Sequence, residues 1–424
     1  MKTDEQTQNG GGPLSGLTVL DLSRILAGPT ATQLLGDLGA EIIKIERPGK
    51  GDDTRAWGPP FLQDAEGNDT EESAYYLSSN RNKKSVAINL ANEEGRELIR
   101  QLADSADILV ENFKVGDLAR HGLDYKSLSQ RNARLIYCSI SGFGQTGPYA
   151  PRAGYDFLIQ GMGGIMSITG DPVDQANSTG PMKVGVGIAD VMCGMYATVG
   201  ILAALEARHK TGTGQHIDIS LLDTQVAWLV NQGASYLVSG ETPVPLGNGH
   251  PTIVPYETFP GSDKAFILAV GNDGQFSKFC AVAGAEHLSS DKRFARNVDR
   301  VRNRDVLVPL LQGLTRKKSA SEWIELLESA GVPCGPINTI PEAFADPQIQ
   351  HREMKVEMPH PTSGSGSVSL IGNPLKLSKT PVQYDRPPPI RGADTKTVLA
   401  SKLHLSEEEI AELAAAGVVE DKKI

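Results

Sequence analysis

The chain has 424 residues, 39% of them hydrophobic and 22% charged, which is ordinary for a globular protein and long enough for two domains around a large core. A formal net charge of -10 and a pI near 5.4 argue against a nucleic acid or an anionic membrane as partner. Cys138, Cys193, Cys280 and Cys334 form no CxxC pair and no set spaced with histidine, so free thiols in a reducing compartment and no metal site are expected.

The first twelve residues are polar and end in three glycines. They have no apolar h-region and are neither Arg-rich nor poor in acid. The expectation is a disordered tail over 1–16 on a cytoplasmic protein, or on a mitochondrial one if a leader has been removed. After the tail, a strand over 17–22, a helix over 30–38 and a strand over 41–46 make a βαβ opening, which implies a parallel sheet with a right-handed crossover. Residues 23–29 then fall at the carboxyl end of the first strand, where open α/β sheets bind ligands.

Glu46 ends the second strand, where an NAD-binding protein carries its ribose-binding acid. The first turn has only an isolated Gly28 and no GxGxxG, so the dinucleotide reading is weak. Residues 52–69 read as a Gly/Pro/Asp-rich loop. The basic cluster Asn80-Arg81-Asn82-Lys83-Lys84-Ser85 is either a solvated loop or a phosphate contact. A strand over 86–90, a helix over 92–103 and strands over 108–111 and 135–140 continue the alternation. Gly-rich residues 141–149 follow the last of these, so several loops gather at one sheet edge and form one cleft.

The stretch 185–205 sets a single carboxylate, Asp190, between a Gly-punctuated approach and the uncharged run 191–205. A helix through that run is apolar on every face and therefore expected to be buried. It is too short and too rich in small residues for a membrane span. Asp190 at the helix start is either an N-cap or a carboxylate kept ionised in an apolar pocket, as a nucleophile requires. Beyond it come a strand over 216–220, a helix from 222 to about 238, a strand near 266–270 and a charged helical segment from 275 to about 330. A capping box, Ser406 with Glu409, opens the last helix.

Together, Leu20-Asp21-Leu22-Ser23-Arg24-Ile25-Leu26-Ala27-Gly28-Pro29, the run from Gly36 to Pro48, Asn80 to Ser85, Val110-Glu111-Asn112-Phe113, Gly144-Gln145-Thr146-Gly147-Pro148 and the Asp190 segment resemble the family III CoA-transferases. Stretches such as Arg152-Ala153-Gly154-Tyr155-Asp156 resemble most the members that act on dicarboxylic acids.

The resemblance implies an α/β fold: an open Rossmann-like parallel sheet in a large domain formed by both chain ends, plus a smaller α/β domain, in an interlocked homodimer. The large CoA-binding domain is expected over 17–224, the small domain over 225–330, and a return segment over 331–424. Asp190 takes the nucleophile's place. CoA contacts carry over to Leu26, Ala27, Arg47, Ile88, Asn89, Leu90, Asn112, Phe113, Lys114, Arg120, Ser141, Gly142 and Phe143. Ser141 stands where other members can carry a lysine. The implied reaction moves CoA from an acyl-CoA, succinyl-CoA by resemblance, to a free dicarboxylic acid through an aspartyl anhydride and an aspartyl-CoA thioester. Coenzyme A is then a substrate, and no cofactor or metal is needed. Backbone donors at Gly185 and Gly187 suit the anhydride carbonyl, with close packing as their other reading. The related alternative is epimerisation by a 2-methylacyl-CoA racemase, but Tyr155 replaces the histidine that reaction uses, and a phenol is a poor base near neutral pH.

Overall fold

Short apolar strands alternating with longer amphipathic runs fold here as a parallel sheet covered on both faces. The computed structural model describes residues 11–172 and 180–422. Thr18–Asp21 (β1), Ala27–Asp37 (α1), Glu41–Glu46 (β2), Lys83–Ile88 (β3), Glu93–Ser105 (α2), Ile108–Glu111 (β4), Ile136–Ser141 (β5), Asp156–Met162 (α3), Ile188–Thr211 (α4) and His216–Ser220 (β6) build its frame. The sheet order is β3-β2-β1-β4-β5-β6, all parallel, with Val419–Glu420 added antiparallel on the outer side of β3. Val19, Leu20, Ile42, Ile43, Ile108 and Leu109 are all buried, because helices cover both faces and leave the strands no wet side. One face packs against α2 and the helices Thr395–Leu403 and Glu407–Ala415, the other against α1 and α4.

The chain divides into two units, one of residues up to 165, 183–238 and 350 onward, the other of 166–182 and 239–349. The sequence placed the smaller domain at 225–330. Cys334–Pro336 pairs with Ala265–Ala269, which itself pairs with Tyr256–Pro260, and this three-stranded sheet draws the chain beyond 330 into the smaller unit. Of the tail expected over 1–16, residues 1–10 lie outside the described residues. Residues 12–16 are fixed, with Leu14 buried in the core and its N–H donating to the Leu38 carbonyl at 2.9 Å. The loop expected over 52–69 contains a 3-10 turn, Asp53–Ala56, and the hairpin of Phe61–Gln63 with Asp69–Ser73. The single helix expected over 222–238 is two, Leu221–Ala227 and Val230–Ser239, and Val230, which opens the second, has φ 38°.

Helix α4 spans 24 residues and is long and apolar enough, by length and composition, to cross a bilayer, yet half of its apolar window is buried inside the fold. Ala189, Cys193, Ala197, Ile201 and Ala204 form its buried face. Gly194 lets it lie against the start of α1, since a Cβ there would stand 2.5 Å from the Ala27 carbonyl oxygen. The expectation that the run is buried all round fails on the other face. Met195, Tyr196, Val199 and Leu202 are exposed, Val199 by 62%. The run 191–205 is uncharged on every face, but among the described residues only one side of it is covered.

Candidate active site

In this strand order the chain direction across the sheet reverses between β1 and β4, which opens a crevice above their carboxyl ends. The loop after β1 and the loop after β4 flank it, and Asn112 ties them together. Its Oδ1 accepts from Arg24 N at 2.9 Å and its Nδ2 donates to Arg24 O at 2.7 Å. A cavity of about 210 Å³ lies here, lined from β1 by Leu26 and Ala27, from β4 by Phe113 and Lys114, from β5 by Ser141 and Gly142, and by Asp190.

Asp190 is the third residue of α4. The cap position belongs to Gly187, without a side-chain bond, so the N-cap reading of Asp190 is replaced by one in which its carboxyl group faces the cavity. Among the described residues no hydrogen bond or ion pair engages that carboxyl group. Burial and then the charge of Asp156 push it up to about 7. A group at about 7 is only partly ionised at neutral pH, short of the carboxylate kept ionised that the sequence suggested. The helix N-terminus favours the anion, while desolvation and the like charge of Asp156 oppose it.

Asp156 itself fixes the start of α4. Its Oδ1 accepts from Ala189 N and its Oδ2 from Gln160 Nε2, both at 2.8 Å, while the buried Gln160 accepts from Val184 N at 2.8 Å. Gly187 fits close packing, since a Cβ there would lie 3.1 Å from Leu26 Cδ2. Nothing lies within 4 Å of a Cβ built on Gly185.

Beneath the loop after β1 lies a set of buried charges. Lys44 Nζ donates to Asp52 Oδ2 and to the Ser23 carbonyl, each at 2.9 Å. Asp52 also accepts from Ile25 N and from Thr54. Burial alone would raise Asp52, but the Lys44 ammonium and the Thr54 bonds hold it below the usual range. These bonds impose φ 74° on Ile25, a branched residue that avoids this region. Such a conformation costs on the order of 1–3 kcal/mol and persists only where its surroundings over-determine it.

The remaining sequence-predicted residues divide as follows. Phe143 packs edge-on against Tyr149 behind the cavity wall. Arg47 is exposed just beyond β2, and Asn89 and Leu90 follow β3, two strands from β1 on the same edge. Ile88 is fully buried in the core, so only its backbone can reach a ligand. Arg120 is exposed and paired with Asp117.

Neither reading of the 80–85 cluster holds. Arg81 grips Asp37 with two bonds, at 2.9 and 2.6 Å, and Lys83 is fully buried against Asp21 and Asn80. Glu46 is not free to bind a ribose. Burial would raise it, but the doubly bonded Arg55 holds it at about 2. Sequence reasoning gave no role to Asp156, Arg152, Lys44 or Asp52. A signal for the first was its spacing of four from Gln160 on one helix face.

Residues 14–395 match the family described as CoA-transferase family III. The chain is 48% identical to the succinate–glutarate CoA-transferase of Agrobacterium fabrum over 92% of its own length and 95% of that protein's. It is 42% identical to the human succinyl-CoA:glutarate CoA-transferase, over 96% and 90% respectively. The crystal structure of a CAIB/BAIF family protein from Brucella suis superposes with a TM-score of 0.80 at 46% identity, covering 93% of this chain and all of that one. A cavity at the sheet's reversal point, an unengaged acid on its wall and these likenesses lead to one assignment: the chain belongs to CoA-transferase family III and is a CoA-transferase.

Proposed function

We propose that the chain moves CoA between succinyl-CoA and a free dicarboxylic acid, with Asp190 as the covalent carrier. The observation that carries this reading is the unpartnered carboxyl group of Asp190 in the cavity between the β1 and β4 loops. The relatives named for succinate and glutarate support the substrate class.

An Asp190 carboxylate oxygen adds to the thioester carbonyl, the carbon–sulfur bond breaks, and CoA leaves as thiolate from an acyl-aspartyl anhydride. The thiolate then attacks the aspartyl carbonyl and expels the donor acid as carboxylate, leaving an aspartyl-CoA thioester. The acceptor carboxylate reverses these two steps. One thioester is exchanged for another with no net redox change and no net proton transfer, so one hard displacement becomes several easier ones. The loops carrying Leu26, Ala27, Asn112 and Phe113 place the thioester, and the edge from β3 to β5 accommodates the rest of CoA, four inter-strand steps or about 19 Å across. Arg47 and Lys114 on that edge suit its phosphates.

Succinyl-CoA offered with a panel of mono- and dicarboxylic acids, read by mass spectrometry, is expected to yield new CoA thioesters of dicarboxylic acids. Loss of deuterium from C2 of a branched acyl-CoA with no acceptor present would favour epimerisation instead.

We also propose a homodimer. The exposed apolar face of α4 and the exposed Leu237 and Val238 suit a subunit contact. Light scattering is expected to give twice the chain mass, and a monomeric mass counts against it.

A further inference from the structure

A dicarboxylic substrate presents a second negative charge near Asp190 and Asp156, and that charge needs a cation. Three cations line the cavity, namely Arg24, Lys114 and Arg152. Arg24 is already paired with Asp53 at 2.6 Å and lies over the Phe113 ring. Lys114 is exposed on the β4 loop, on the side given above to CoA.

Arg152, exposed like Lys114, differs from both in how its guanidinium is held. Among the described residues its guanidinium has no carboxylate partner. It rests over two aromatic rings, 4.6 Å from the centroid of Tyr149 and 5.1 Å from that of Phe143. Stacking on ring faces holds a guanidinium without neutralising it and leaves its in-plane N–H groups free for a carboxylate.

The loop that carries Arg152 is held in place. Gly142 and Gly154 meet backbone to backbone, so that a Cβ on either would fall 2.6 or 2.4 Å from the other's Cα. Arg152 N donates to the Tyr149 carbonyl at 2.9 Å. No ion pair joins Arg152 to Asp190, and only burial and Asp156 perturb the Asp190 carboxyl group. Acid and cation therefore line one cavity without pairing, the arrangement that a short chain with a carboxyl group at each end calls for.

We propose that Arg152 binds the distal carboxylate of the dicarboxylic substrate and thereby sets the preference for dicarboxylic over monocarboxylic acids. The assignment rests on Asp190 being the group that receives the reacting carboxyl end.

The test compares glutarate with valerate, which replaces one carboxylate by a methyl group, as acceptors from succinyl-CoA. In a ping-pong exchange kcat/KM for the acceptor reports the acceptor half-reaction alone, so the donor's own carboxylate drops out. Arg152→Gln is expected to lower kcat/KM for glutarate about 10- to 100-fold, chiefly through KM, and to leave valerate within about threefold, as loss of one charge-assisted bidentate contact requires. Arg152→Lys, which keeps the charge and loses the fork, is expected to recover part of the glutarate activity. Equal losses for both acids, or an unchanged ratio, overturn the role of Arg152 while leaving the transferase reading intact. A wild-type chain that transfers CoA to neither acid overturns both.

Discussion

Asp190→Asn is expected to lower CoA exchange by about 10⁴-fold or more, the scale of loss when a covalent nucleophile is removed. The amide fills nearly the same space but cannot form the anhydride, so CoA binding by calorimetry should persist while turnover disappears. Because burial and Asp156 push the Asp190 carboxyl group up to about 7, the wild-type rate should depend on pH in a defined direction. The reactive form is the anion, so kcat/KM should fall as pH drops through about 7 and level off above it. Asp156→Asn removes the neighbouring charge and should move that acid limb to lower pH. A limb near the ordinary aspartate value would show that burial and Asp156 do not raise this group, and near-normal turnover by Asp190→Asn would remove Asp190 from its role.

The second large effect concerns a residue with no part in the bond changes. Asp52→Ala leaves the Lys44 ammonium buried without its partner and frees Ile25 N. Removing one member of a buried pair costs on the order of 3–5 kcal/mol, so urea unfolding should shift to markedly lower denaturant. The loop 24–27 should also relax from its strained shape, and because Leu26 and Ala27 line the cavity, CoA should bind more weakly. Replacing both members, Lys44→Met with Asp52→Leu, should restore much of the stability but not the affinity, since the hold on Ile25 N is still missing. Wild-type stability in Asp52→Ala would show that the buried charges do not brace the loop.

The frame of the larger unit was legible because its strands are short apolar runs with clear boundaries. Strands 41–46, 108–111 and 216–220 form where the pattern puts them, and the crevice follows from where they end. Asp190 was legible for a similar reason, as a lone acid before an uncharged helix. What the linear pattern concealed was tertiary pairing. Lys44, Lys83, Arg55 and Asp52 look like surface residues, because charged side chains are seldom buried without partners, and those partners are 8 to 62 positions away. Arg152 stood in a stretch that resembles the dicarboxylate-handling members, but no role could be read for it there, since that depends on the two rings it rests on. The exposed side of α4 was hidden because composition records how apolar a helix is, not how many neighbours cover it. The smaller unit was misplaced because a strand as short as Cys334–Pro336 has no periodicity to read.

The central claim is a bond between one Asp190 oxygen and the acyl carbon, and trapping that bond tests it most directly. With hydroxylamine present during turnover of succinyl-CoA and glutarate, the peptide containing Asp190 should carry a hydroxamate on that residue by tandem mass spectrometry. Exchange proceeding at full rate with Asp190 unlabelled, or with the label on another acid, would contradict the account.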